Sequence, residues 1–413
     1  MFYYKFRNKY MFSLNNYPQF ERVEEVLIKE HNEIIYYLCS LDPFISRKTF
    51  SITHPSLLFI KKEGLNLLQV DGNEVYDLPK WILEKIEDRR IMAINTTFPN
   101  WQNKLLERHP AKWRVHIAGL GDVGSTLLIG LRLLGGDCID SIGIYDRTPD
   151  KLQRWSYEIN QVYCPGNEGF PEVYPISESE FFNCDMFVFC IAKGVPPVGK
   201  DVKDVRMIQF QENANIIETF AKKARAADFK GIFAVVSDPV DLLCKVVFNS
   251  SNKDSQGNFD FKGLAPEQVR GYGLGVMHAR AAYYAKENPK TLHYLKEGRA
   301  FGPHGEDLVI ADSIEDYNEI LSIYLTNKAK AGNLEVRKTG FKPYIAPALS
   351  SGSLSIIATI RGDWHYSATY MGGVYMGSKN RLSSSGTEVE RLELPELLLQ
   401  RLQNTYAKLE KMV

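Results

Sequence analysis

From residue 113 onward the apolar positions fall in short, nearly continuous runs separated by stretches with helical spacing. The segments RVHIAGLG, SIGIYD, DMFVFCIA and GIFAVVSD read as four strands with helices between them. Such alternation predicts a doubly wound parallel sheet covered on both faces. After about residue 275 the order becomes mixed. A helix is expected through 280–286, then irregular polar segments, a strand-like SATYMGGVYM, and a final helix over 395–412 with Pro395 in its first turn. Residues 1–112 follow another pattern. Val23, Val26, Leu27, Ile34, Ile35 and Leu38 lie near helical spacing and predict an amphipathic helix within 20–41. Strand-like stretches at 48–53, 57–61, 65–70 and 74–78, with turns at Lys62-Glu63-Gly64 and Asp71-Gly72-Asn73, predict a small meander. Pro79 then precedes a helix through Trp81, Ile82 and Ile86. Three units are expected: an α+β accessory module over 1–112, a parallel α/β domain over 113–264 and an α+β domain over 265–413.

Composition narrows the class. A chain of 413 residues exceeds what one hydrophobic core usually serves, and 44% apolar with 24% charged residues is ordinary for a globular protein. Fifty basic residues balance fifty acidic ones, so no bulk field favours nucleic acid or an anionic membrane, and neither is expected as a partner. The six cysteines form no CxxC pair and no zinc spacing; they read as reduced thiols, and no metal is expected. The opening MFYYKFRNKYMF interleaves Lys5, Arg7 and Lys9 with aromatics and lacks the apolar core of a secretory signal, so a cytoplasmic protein is expected. The polar run at 249–256 reads as an exposed loop.

The first chemical signal is Gly119-Leu120-Gly121-Asp122-Val123-Gly124, a GxGxxG between an apolar strand and an apolar helix. Gly119 allows a tight turn, Gly121 lets backbone approach a pyrophosphate, and Gly124 permits close helix packing, while the helix N–H groups face the phosphates. Asp146 ends the next strand, 27 residues after Gly119, where a carboxylate accepts ribose hydroxyls and repels a 2′-phosphate. That favours NAD over NADP, although Arg147 alongside works the other way.

The second signal is a histidine with two arginines. His304 sits in FGPHGEDLVI, Arg280 lies 24 residues earlier in VMHARAAYY, and Arg206 lies in the charged segment DVKDVRMIQFQEN, read as a loop leaving the third strand. Hydride transfer to a ketone needs a proton donor at the oxygen, which histidine supplies near neutral pH. A substrate carboxylate suits a bidentate arginine, and a polarised carbonyl suits a second cation.

With these motifs in order (GLGDVG, the Asp146 strand end, KLQRWSYEIN, AKGVPP before the Arg206 segment, VVSDPVDLL, GYGLGVMHAR and GPHGED), the sequence resembles the L-lactate/malate dehydrogenase family over about residues 113–412. The resemblance implies a Rossmann-type domain followed by an α+β substrate domain, and an NAD-dependent hydride transfer between a 2-hydroxy acid and its 2-oxo acid. It places the cofactor on Gly119, Gly121, Asp122, Val123, Gly124, Asp146, Arg147 and Ala192. His304 becomes the acid/base, Arg280 the carboxylate clamp and Arg206 the carbonyl-polarising arginine, seven residues before Asn213 as in the family. It also implies a homo-oligomer.

Two departures stand out. The family's histidine-orienting aspartate falls on Met277, and the asparagine of its NPVD segment is replaced by Asp238. Asp238 is therefore expected either to partner His304 in place of the lost carboxylate or merely to cap a turn before Pro239. His278 beside Met277 is a candidate in or near the pocket, but is expected to have a packing or surface role instead. Pro197 stands where malate enzymes carry a specificity arginine, with Lys193, Lys200 and Lys203 as other charges around that segment. SSGSLS at 350–355 falls where the family lines the substrate's side-chain end, leaving room for a larger 2-oxo acid. The alternative is a catalytically weak or inactive NAD-binding relative with an interaction role through residues 1–112.

Overall fold

The computed structural model describes residues 1–70, 76–107, 110–166, 169–193 and 202–412, with backbone alone for 202–209. The first sheet is built from β1 (Phe2–Phe6), β2 (Lys9–Ser13), β3 (Glu21–Arg22), β4 (Ile35–Cys39), β5 (Thr49–Ser51) and β6 (Ile91–Asn95), in the order β3-β1-β2-β4-β6-β5. β4 and β6 are buried on both faces and run parallel to each other at its centre. Along β4 the period of two divides the side chains. Ile35, Tyr37 and Cys39 enter one core, whereas Tyr36 and Leu38 enter a second with Tyr4, Met92 and Trp101.

The expected helix within 20–41 is a five-residue helix, Glu25–Lys29, followed by β4. The run IIYYLC is apolar at every position, which suits a buried strand as well as a helix; its branched and aromatic residues favour the strand. Among the described residues of the expected meander only Thr49–Ser51 is a strand, while Pro55–Leu58 and Leu65–Leu67 are single 3₁₀ turns that tuck leucines into the core; the 74–78 stretch lies partly outside the described residues. The turn at Asp71-Gly72-Asn73 lies outside the described residues. The helix after Pro79 is present as Lys80–Glu87, burying Trp81, Ile82 and Ile86.

The second sheet contains β7 (Trp113–Ala118), β8 (Ile139–Tyr145), β9 (Glu172–Pro175), β10 (Met186–Phe189), β11 (Ile232–Val235) and β12 (Val269–Gly271), all parallel in the order β9-β8-β7-β10-β11-β12. This is the doubly wound Rossmann order, whose ligand crevice opens between the carboxyl ends of its first and fourth strands, here β7 and β10. The parallel run continues past residue 264 to β12. A two-stranded ribbon of β13 (Arg299–Phe301) and β14 (Val309–Ala311) follows. Then β15 (His365–Met371), β16 (Val374–Ser383) and β17 (Gly386–Val389) extend the large sheet antiparallel beyond β12.

One long element escaped the hydrophobic pattern. The polar segments after residue 310 contain a 20-residue helix, Glu319–Lys338, whose buried face is Ser322, Leu325, Thr326 and Ala329. Small and hydroxyl residues carry no apolar stripe, so the periodicity is silent there. The polar run at 249–256 likewise begins inside the helix Val240–Ser251, and Ser251 and Asn252 are buried.

The two sheets share a core. Phe12, Tyr37, Phe50, Trp81 and Ile82 of the first region form one hydrophobic cluster with Phe301, Met371, Val389 and with Leu398, Leu402 and Leu409 of the final helix Glu396–Met412. Polar contacts reinforce the seam. Glu267 accepts the backbone N–H groups of Lys48 and Thr49 at 3.0 and 2.8 Å, and Arg89 pairs with Glu388 at 2.8 Å. Among the described residues no helix is long and apolar enough to cross a membrane.

Candidate active site

The parallel strands deliver their carboxyl ends to one edge, and the glycine-rich turn lies there. Gly119 has φ +97°, and a Cβ on it would stand 3.0 Å from the Cys190 backbone at the end of β10. A Cβ on Gly124 would meet the Gly119 carbonyl oxygen at 1.9 Å, so the helix Asp122–Leu134 can seat itself only on glycine. At Gly121 a Cβ would meet nothing within 4 Å. The first two glycine roles are packing and turn; the third leaves bare backbone facing open space at a helix N-terminus, which fits a dinucleotide's diphosphate. Val123 is half-buried beneath this turn, Ala192 is exposed just beyond β10, and Asp122 is exposed.

Asp146 closes the other side of the turn. Its carboxylate accepts the Leu120 N–H at 3.0 Å, the Thr148 N–H at 3.1 Å and the Lys151 ammonium at 2.9 Å. Burial pushes this carboxyl up, but Lys151 and the two N–H groups outweigh it and hold Asp146 below the usual carboxylate range. It stays ionised at neutral pH. Arg147 is exposed. Lys151 escaped notice in the sequence, although KLQRW places it in the first turn of Pro149–Asn160.

His304 sits in the β13–β14 connection. A Cβ on Gly273 would stand 2.7 Å from the His304 Cβ, so the glycine before the helix Leu274–Ala285 lets this loop close in. The His304 N–H donates to Asp241 Oδ2 at 3.1 Å, and its Nδ1 lies 3.0 Å from Asp238 Oδ1. The missing aspartate and the new one are thus related in space: the carboxylate reaches the imidazole from the β11 end. Burial alone would lower the His304 pKa; the charge and hydrogen bond of Asp238 outweigh that and raise it. Asp238 is itself held in place, because Asn213 donates to its carbonyl at 2.8 Å while accepting the Lys193 N–H at 3.0 Å.

Arg280 lies on Leu274–Ala285, its stem packed against Gly332 of the long helix, where a Cβ would meet Arg280 Cδ at 3.0 Å. Burial lowers its pKa and the Asp238 charge opposes this, so Arg280, Asp238 and His304 share one electrostatic neighbourhood. Met277 is buried, its sulfur 3.6 Å from Arg280 Nη1. His278 packs as expected. Its Nδ1 meets the Tyr294 hydroxyl at 2.8 Å, its ring stacks on Tyr366 at 4.2 Å, and burial lowers its pKa to about 4.

Arg206 belongs to the helix Val202–Ala226 rather than a loop, two turns before Asn213, in the stretch where only the backbone is described. Pro197 and Lys200 lie outside the described residues, and Lys203 is described in backbone alone. Lys193 pairs with Glu212 at 2.9 Å. Within SSGSLS, Ser350 is half-buried and the buried Ser353 hydroxyl has no hydrogen-bond partner among the described residues. Ser351 is buried, accepting the Val276 N–H and donating to Gly273 O, both at 2.8 Å, and Ser353 packs against Gly130.

Asp241 was missed in the sequence. It is buried in the first turn of Val240–Ser251, and burial raises its pKa to about 7. Its place in VVSDPVDLL, three residues after Asp238, was the available signal.

The model of the lactate/malate dehydrogenase NAD binding domain matches residues 113–260. L-lactate dehydrogenase 2 of Staphylococcus aureus (strain JH9) is 24% identical over 221 residues, 53% of this chain and 63% of that protein, less than two thirds of its length. Two solved structures share the fold. The minor L-lactate dehydrogenase of Enterococcus mundtii matches at a TM-score of 0.58 and 17% identity over 73% of this chain and 97% of its own. The malate dehydrogenase of Archaeoglobus fulgidus in complex with NADH matches at 0.58 and 19% identity, over 72% and 97%. Residues 113–260 thus resemble the NAD binding domain of the lactate/malate dehydrogenase family, in a chain that carries an additional N-terminal sheet.

Proposed function

We propose that this protein is an NAD-dependent oxidoreductase acting on a 2-hydroxy acid/2-oxo acid pair. The observation that carries the reading is the His304–Asp238 hydrogen bond of 3.0 Å, in a chain whose glycine turn leaves Gly121 open. Bound at that turn, the nicotinamide dinucleotide supplies hydride donation and acceptance. The backbone at Gly121 and the first N–H groups of the helix would hold the diphosphate, with Gly119 and Gly124 shaping the turn, and Asp146 would accept the ribose hydroxyls. With Nδ1 engaged by Asp238, His304 exchanges a proton with the substrate oxygen through Nε2, and Asp238 stabilises the imidazolium so formed. Arg280 holds the substrate carboxylate, and Arg206 takes the carbonyl-polarising role that the family resemblance implies for its position.

The test is NADH oxidation by the purified protein against a panel of 2-oxo acids, with His304→Gln alongside. Turnover reduced about 10²–10⁴-fold in the variant supports the reading; equal turnover in both proteins refutes the role of His304. Met277, apolar at the position of the family's orienting carboxylate, favours a second reading, a catalytically weak NAD-binding relative. NADH binding without turnover on any member of the panel selects it. Self-association and a cytoplasmic location belong to the same proposal, and sedimentation checks the first.

A further inference from the structure

The acidic residue inside the glycine-rich turn poses a physical problem. Asp122 opens the helix Asp122–Leu134, next to the bare backbone of Gly121. A diphosphate brought to that N-terminus is attracted by the N–H groups and repelled by the neighbouring carboxylate. The structure supplies a counter-charge from far along the chain. The long helix ends at Lys338, and Gly340 (φ +89°) turns the backbone out of it in the left-handed conformation common after helix ends. Two residues on, Lys342 Nζ stands 3.1 Å from Asp122 Oδ2 across 220 positions of sequence.

Both side chains are solvent-exposed, 82% for Lys342 and 51% for Asp122. An ion pair of that kind adds little to folding stability. Its significance lies in where it sits. We infer that Lys342 belongs to the dinucleotide site, where it neutralises Asp122 so that the helix N-terminus accepts a diphosphate. This rests on the dinucleotide-binding reading above and adds a binding residue from the C-terminal half of the chain. The ligand class is a nucleoside diphosphate whose bridging phosphates face the Gly121 backbone.

The experiment is equilibrium binding, independent of turnover. NADH is titrated by its fluorescence, and ADP-ribose, which lacks the nicotinamide and so does not probe the His304 end, is measured by competition. Lys342→Met is expected to weaken both ligands about three- to tenfold at low salt, the difference shrinking as salt screens the exposed charges. Adding Asp122→Asn to Lys342→Met is expected to restore both affinities to within about twofold, because the repulsion needing compensation is gone. Unchanged affinity in Lys342→Met overturns the inference. So does a loss that Asp122→Asn fails to restore, which would make Lys342 a direct contact rather than a neutralising one. If the unaltered protein binds neither ligand, the dinucleotide reading itself fails and the inference falls with it; if it binds both and Lys342→Met does too, only the inference fails.

Discussion

The two sheets treat their charged groups in opposite ways. At the carboxyl edge of the large parallel sheet, His304 and Asp238 meet with the carboxylate side chain 57% exposed, and Gly121 leaves open space before a helix N-terminus. In the six-stranded region, Arg47 and Glu63 pair at 3.0 Å with side chains only 3% and 0% exposed. A charge left half in water can exchange protons and meet a ligand. A sealed pair can do neither, and its bifurcated geometry, with Arg47 Nε 3.0 and 3.1 Å from the two Glu63 oxygens, is a device for fixing one arrangement of chain. The difference sets a sealed framework pair in the N-terminal region against polar groups gathered at the carboxyl ends of β7, β8 and β11.

The sharpest way to break this contrast is to cut the sealed pair. Glu63→Ala strands the Arg47 charge in the interior and is expected to cost about 3–5 kcal/mol of stability by denaturant unfolding. NADH affinity measured below the transition should stay within about twofold; a selective loss of NADH binding would erase the division between framework and site. Next comes the shared core. Leu402→Ala in the final helix is expected to cost about 2–5 kcal/mol. Because Leu402 packs in one cluster with Trp81 and Phe50, the fluorescence of Trp81 should report the same weakened transition as far-ultraviolet circular dichroism. Two separate transitions would mean that the N-terminal sheet is independent after all.

The smallest expected effect is at the open pair. Asp238 raises the His304 pKa, so the protonated imidazole survives to higher pH than a free one would. Reduction of a 2-oxo acid needs that proton and should decline as pH rises through the folded-state pKa. Asp238→Asn should move the decline to lower pH and reduce the rate by about tenfold at neutral pH. The stability linked to this pair has the same sign, present at low pH and lost as His304 deprotonates. An unmoved pH profile would reduce Asp238 to a turn cap before Pro239.

The sequence was legible where burial is two-sided and the chemistry is local. β7, β10 and β11 announce themselves as apolar runs, and the glycine turn carries its purpose in its spacing. Misreadings arose where one pattern serves two structures, as with IIYYLC, or where packing uses small polar residues, as along Glu319–Lys338. In the site, losing one carboxylate at Met277 and gaining another at Asp238 hinted at the His304 contact, but only the return of the β13–β14 loop onto β11 brings them together. Asp241 and Lys342 act on groups 63 and 220 positions away, and no local pattern encodes such meetings.

The cluster joining Phe12 and Trp81 to Leu398 and Leu402 also constrains the order of events on the ribosome. About 300 residues separate β6 from the final helix, so at typical elongation speeds of about 5–20 residues per second the first sheet waits roughly 15–60 s for its last covering element. For that interval Phe12, Trp81 and Ile82 present an oily face to solvent or to a chaperone. A nascent chain of this protein is therefore at its stickiest while its C-terminal half is still being made.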